Sequence, residues 1–374
     1  MKLNTGKTGS VTEFEKLIFD VVHTAHVQSL FIFSCDSNGF QANEIDPILR
    51  TIPVPVFGGI FPAIMCGNEK TDKGTVVIGL EFAPHVTIIP SLSNPSMDYD
   101  QIIEELLPEQ SDTRTMIILV DGLAKRISKL IEGMFNNCGL EYNYIGGGAG
   151  SLNFTQKPCL FTNQGMLADC ALIVQCPIIS SIGVQHGWRT VSGPYKVTDS
   201  DQNIIKTINW LPAFDVYKDV IAAHSNLEIR PDNFFDISKC YPFGISRFGA
   251  EKIVRDPIMT SENGFIVCVG EVPTESYVDI LTSDAPALIN AARNAYTSAL
   301  QEINSYPFNT FTLFIDCISR SLFLEKQFQA ELDAVYHEST PLIGALTIGE
   351  IANTGKEYLE FYNKTAVVGV LEDA

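Results

Sequence analysis

The chain has 374 residues, 45% of them hydrophobic and 18% charged, enough for a large buried core spread over two or three domains. Its 44 acidic residues against 25 basic ones leave a formal charge of −19. A field of that sign repels phosphate backbones and anionic lipid, which argues against nucleic-acid and membrane-surface binding and leaves small ligands and basic protein surfaces as partners.

The first residues, "MKLNTGKTGSVTEFEK", are polar and lack the apolar core of a signal peptide, and no run approaches the roughly 18 apolar residues that span a bilayer. Residues 1–27 read as an N-terminal helical region in which His23 and His26, three apart, would share a helix face. The next segments share one pattern. "SLFIFSCD" (29–36) reads as a strand ending in an acid, followed by a helix-compatible stretch to Arg50, then "VPVFGGI" (54–60) and "GTVVIGLEF" (74–82). "TMIILVD" (115–121) starts the series again, with the helix "AKRISKLIEGMF", then "YNYIGGGAG" and "NQGMLADCALIVQC". "FTLFIDC" (311–317) starts it a third time, with "SLFLEKQFQAELDAVY", "TPLIGALTIGE" and "EFYNKTAVVGVLE". A fourth, reduced copy reads as "YPFGISRFGA" followed by "NGFIVCVGE".

These modules predict an α/β (mixed α+β) fold: two lobes of mixed β-sheet with outer helices, over residues 28–222 and 223–374. "HSNLEIRPDN" would be the link between them. Helical crossovers favour parallel pairing of the first two strands in each module. A cleft between lobes is the default pocket.

The glycine run "YIGGGAGS" (144–151) invites a phosphate-loop reading. The adjoining stretch "LNFTQKPCLFTNQG" has turn residues and no helical spacing, and no Gly-Lys-Ser/Thr ending is present. The glycines instead end buried strands in each module, where a backbone without Cβ permits a sharp turn or a close approach. Acid-ended strands and glycine turns opening on one sheet edge would make Asp121, Gly147 and Gly148 ligand contacts. Nine cysteines (35, 66, 138, 159, 170, 176, 240, 268 and 317) show no Cys-x-x-Cys spacing and several lie in apolar runs, as expected of reduced thiols in a cytoplasmic protein.

The chain resembles a FIST protein with both halves of that sensory unit. The resemblance is carried by "FIFSCD", "YIGGGAGSLNF" and "GVQHGWRTVSGPYKVTDSDQNIIKTINWLPAFDVYKDVI" in the first half, and by "YPFGI", "IVRDPI", "FIDCISRSLFLEKQFQAEL" and "PLIGALTIGEI" in the second. It runs from about residue 28 to 371. The resemblance implies an intracellular small-ligand sensor, with an amino acid or related metabolite as ligand. Signalling would run through a separate protein such as a kinase or cyclase, since no output domain comes after residue 371. Some relatives resemble haem-based nitric oxide sensors, which makes haem an alternative cofactor to none.

"QHGWRTVSGPY" is the most distinctive polar–aromatic cluster. Alternation puts His186 and Trp188 on one face and Arg189 on the other, with Arg189 able to grip a carboxylate. The bland alternative is a core tryptophan, a hydrogen-bonded histidine and a solvated arginine. "IVRDPI" sets Arg255 beside Asp256 in an apolar strand, as a salt bridge or an anion site. Cys317 and Arg320, at a strand-to-helix junction in "DCISRSLF", would face the same opening, and Glu350 after "LTIG" would pair with Arg320 or receive a ligand ammonium. An enzyme reading would need His186 beside Cys176 or Cys317. No metal-ligand spacing or hydrolase motif occurs. No catalytic residue is assigned.

Overall fold

The computed structural model describes residues 1–108, 112–246, 252–301, 310–353 and 358–372. The three apolar runs that end in an acid form the buried strands Ser29–Cys35, Thr115–Asp121 and Thr310–Cys317. Apolar on both faces, they suit the middle of a covered sheet. Helices Ala42–Leu49, Ile127–Cys138 and the pair Ile318–Leu324 and Phe328–Val335 return the chain to a parallel neighbour. Those neighbours are Val56–Phe61, Asn143–Ala149 and Leu342–Thr347 respectively. On the other side of each first strand lies an antiparallel third one: Thr75–Leu80, Ala171–Cys176 or Ala366–Glu372. The three units thus share one strand order and one set of senses.

Beyond its second strand, each unit crosses into another unit's sheet. Ala63–Cys66 pairs with Leu342–Thr347, Glu350–Ala352 with Asn143–Ala149, and Leu160–Thr162 with Val56–Phe61, all antiparallel. The exchange runs from first unit to third, third to second and second to first, closing a ring.

Close strand packing, within units and between them, explains the glycines. Gly58 lies in register with Ile32, Gly146 with Ile118 and Gly344 with Phe314. At all three a Cβ would overlap the carbonyl oxygen of that register partner. Where the units meet, main chain bonds to main chain: Gly150 N–H to Ile60 O at 2.8 Å, Gly148 N–H to Gly349 O and Ile348 N–H to Gly148 O, both at 2.9 Å. The expectation that glycine corners open on a common cavity is therefore corrected. Their missing side chains are filled by neighbouring backbone.

A fourth sheet runs in the order Arg189–Asp201, Tyr277–Thr282, Phe243–Ile245, Ile253–Thr260, Ile266–Val269, Ile204–Ile208, Leu211–Pro212. Helix Ala213–Ser225 covers it, with Tyr217 packed on Phe243. The reduced fourth copy lies here without a parallel pair, and its residues 247–250 are outside those described. Of the four sheets among the described residues, three take strands from both sides of residue 222. The mixed α/β architecture with outer helices is present, and strand exchange ties the two halves of the chain together.

The N-terminus also departs from a purely helical reading. Lys2–Gly6 adds an edge strand to Thr75–Leu80 before helix Val11–Val22, which Ser10 caps by accepting from Glu13 N–H. His23 ends that helix and His26 lies beyond it with φ 73°, so the two do not share a helix face. All nine cysteines are free. Among the described residues no helix is long and apolar enough to cross a membrane.

Candidate functional site

Helix Ile127–Cys138, the end of strand Ser180–Gln185, the fourth sheet and strand Glu360–Tyr362 border a cleft of about 1220 Å³. The strand exchange brings these elements together, since Glu360–Tyr362 belongs to the third unit but extends the second unit's sheet. Two of the sequence-predicted residues line the cleft, His186 and Arg255.

Arg255 is 4% exposed on a central strand of its sheet. Its Nε donates to Glu271 O at 2.9 Å, and its Nη1 to Phe361 O at 2.9 Å and Val254 O at 3.1 Å. The guanidinium also stands 6.0 Å from the centre of the Phe361 ring. Main-chain carbonyls thus fix the group's orientation and hold its positive charge at the cleft lining, where it would attract a carboxylate. Glu271 contributes the opposite charge to the lining. Burial pushes its carboxyl above the usual range, opposed by Lys129, Arg255 and Arg126. Lys129 and Glu132 pair at 2.6 Å on the helix wall, and the Phe135 and Tyr358 rings pack tilted at 47° with centroids 4.7 Å apart.

His186 Nδ1 accepts the Trp188 N–H at 2.8 Å, which leaves the proton of the neutral ring on Nε2. Burial, then the charges of Arg320 and Lys252, push its pKa down to about 4, so the ring is neutral at physiological pH.

A buried ionic cluster lies behind this histidine. Arg320, wholly buried, donates through Nη1 to His186 O at 2.7 Å and through Nη2 to Leu288 O at 2.9 Å. Its carboxylate partners are Asp316, at 3.0 Å from Nε, and Glu331. Lys364, also wholly buried and with φ 53°, pairs with Asp256 at 3.2 Å; its ammonium lies 5.1 Å from the centre of the Trp188 ring. The Lys364 carbonyl accepts from Trp188 Nε1 at 3.2 Å and Arg320 Nη1 at 3.3 Å. Burial pushes Asp316 well above the carboxylate range, with Glu331 adding to it.

The other predicted residues take structural places. Trp188 is core, edge-on to Phe323, and does not wall the cleft. Arg189 is solvated and pairs with Asp284 at 2.7 Å. Arg320 is saturated by Asp316, Glu331 and carbonyls, so neither it nor Glu350 meets the other in the expected ion pair. Glu350, wholly buried, accepts from Thr347 Oγ1 at 3.1 Å and Thr365 N at 3.2 Å, and burial pushes its pKa up to about 8. Burial also pushes the Cys317 thiol well up, the opposite of an activated nucleophile. Gly147 and Gly148 pack against the main chain of Ile348 and Gly349. Asp121 holds a turn, accepting from Gln156 Nε2 and Asp169 N–H at 2.8 Å and Leu123 N–H at 3.1 Å.

Sequence reasoning missed Glu271, Glu331 and Lys364. Glu331 carried a faint signal, an acid on the apolar face of "FQAELDAV", and Lys364 a fainter one, a lysine two residues before the apolar run "AVVGVL".

Chemically, the cleft offers a fixed cation, a half-buried acid, a neutral imidazole and aromatic walls. His186 and Cys317 line different cavities, and Cys176 is wholly buried within its strand. Among the described residues no group of three or more His, Cys, Asp or Glu is placed to hold a metal ion. For haem, Glu132, Glu271, Glu275 and Glu360 in the lining would oppose the propionates, against Lys129 and Arg255.

A FIST N domain model matches residues 29–211, and a FIST C domain model matches residues 213–353. No curated protein matches the chain.

Proposed function

From the premise that the chain belongs to the FIST family, whose domains are small-ligand sensory domains of signal transduction, we propose that the cleft at Arg255 and His186 is its ligand site. The ligand is an amino acid carrying a bulky substituent, or a close derivative. One observation supports this above the others: Arg255 and the half-buried Glu271 line the same cleft with opposite charges, a complement to a carboxylate and an ammonium. The aromatic rings of Phe135, Tyr358 and Phe361 would receive the apolar body. A volume of about 1220 Å³ is generous for a free amino acid, which favours a larger derivative or closure of the helix wall on the ligand. Closure would shift the population of surfaces offered to a separate signalling protein, of the kinase or cyclase kind.

A thermal-shift panel of amino acids, N-acyl and aryl derivatives and dipeptides tests the reading. A true ligand at a hundredfold its Kd adds about 2.7 kcal/mol of stability. Glu271→Gln and Tyr358→Ala, both at the lining, should reduce that gain. A panel without any stabiliser, or a stabiliser indifferent to both changes, would overturn it.

A further inference from the structure

A second, smaller cavity of about 40 Å³ lies on another part of the molecule, where the start of helix Ile318–Leu324 meets the 348–349 turn and the end of strand Ile253–Thr260. Its lining is almost wholly apolar, with two buried polar residues set among the apolar ones. The rim is formed by Leu152, Phe154, Phe235 and Leu322, between 39% and 55% exposed, a cluster of large apolar side chains left facing solvent. The floor carries Asn363 and Asp256, 1% and 2% exposed. Neither polar side-chain atom of Asn363 has a hydrogen-bond partner among the described residues, and neither does Asp256 Oδ1.

An unmatched amide and a carboxylate oxygen removed from water cost free energy, and each such group in a folded protein calls for a partner. The charge of Asp256 is already met: its Oδ2 lies 3.2 Å from Lys364 Nζ and accepts from Ser319 Oγ at 2.6 Å. A further ion of either sign would face one unfavourable member of that pair. One donor group, Asn363 Nδ2, and two acceptors, Asn363 Oδ1 and Asp256 Oδ1, remain unmatched. The complementary head is uncharged and has two N–H donors and a carbonyl. We propose that this cavity is a second ligand site, for a primary carboxamide on a small apolar body. The amide would pair with Asn363 and donate its other N–H to Asp256, and the body would lie among Phe154, Phe235 and Leu322.

The site is independent of the cleft reading, since the two cavities share no lining residue. The test is methyl-labelled NMR of the full chain titrated with benzamide, and with toluene and benzoate as matched controls. Benzamide should give saturable shifts at Leu322, Ile258 and Ile348 and leave Ile245 and Ile253 in the cleft unmoved. Toluene and benzoate should bind at least about tenfold more weakly, the cost of leaving the polar floor unmatched or adding a charge. Asn363→Leu should abolish the preference for benzamide. Phe154→Ala, at an exposed position that does not threaten folding, should weaken benzamide several-fold. Equal binding of toluene would reduce the site to a greasy patch. Shifts confined to the cleft, or no saturable shift because ordered water alone satisfies the floor, would equally overturn the proposal.

Discussion

Arg320 Nη1 donates to the main-chain oxygen of His186 at 2.7 Å, so a guanidinium wholly removed from water holds the residue that edges the cleft. The contact joins the third unit's strand-to-helix corner to the segment leading into the fourth sheet. It also makes the cleft's geometry depend on a buried ionic cluster outside its lining.

Removing Arg320 should therefore be severe. Arg320→Ala strands Asp316 and Glu331, both 0% exposed, and should cost about 3–5 kcal/mol in urea unfolding. Arg320→Lys should recover little of that loss, since one ammonium cannot replace bonds to His186, Leu288, Asp316 and Glu331. A loss under about 1 kcal/mol for either variant would contradict a buried ionic cluster centred on this guanidinium.

Histidine 186 should make the protein acid-sensitive. Its pKa is about 4 folded against 6.5 for an ordinary histidine, so the unfolded chain binds the proton first as pH falls. Stability is intact above pH 6.5 and is lost as pH falls toward 4. The part due to this group is about 2 kcal/mol between pH 7 and pH 5. Unfolding of wild type and His186→Asn at both pH values measures it: asparagine still accepts from Trp188 N–H but cannot titrate, so its pH dependence should be shallower.

Glutamate 350 works in the opposite direction. Its folded pKa of about 8 lies above the ordinary carboxylate value, so its contribution is whole below about pH 4.5 and is lost as pH rises through 8. Glu350→Gln keeps an acceptor for Thr365 N–H and mimics the protonated acid. The variant should overtake wild type in stability at pH 8.5 and lose that advantage at pH 5, read from denaturant midpoints. An advantage that grows toward low pH would reverse the assignment.

The strand glycines give a test of the fold itself. Gly146→Ala and Gly344→Ala should each cost more than about 4 kcal/mol or prevent folding, because the added carbon falls on a register partner's carbonyl. Gly39→Ala, where φ is 68° and nothing lies within 4 Å, should cost only about 1 kcal/mol. Similar losses at all three positions would mean that the strands do not approach each other so closely.

Much of this could be read in the sequence. The strands ending in Asp36, Asp121 and Asp316, their crossover helices and the parallel pairing arise from apolar runs and helical spacing, which are local. Strand exchange is not local: nothing in "FGGI" announces that the next strand will pair with residues about 280 positions later, Ala63 opposite Leu346. That is why strands from both sides of residue 222 share sheets without any local sign of it. The same limit applied at the site. Arg255 and His186 were legible as polar residues in apolar surroundings, yet so were Arg320 and Glu350, and only packing separates a cleft-facing group from one sealed in the interior. Glu271 gave no signal, because its desolvation comes from elements distant in the chain.

Hydrogen–deuterium exchange with and without the best stabiliser from the amino-acid panel tests the central assignment most directly. If the cleft is the sensor's ligand site, saturation should slow exchange in helix 127–138, at 184–186 and at 358–362, with little change around the 150–157 loop. Protection elsewhere with those three segments unaltered would contradict it.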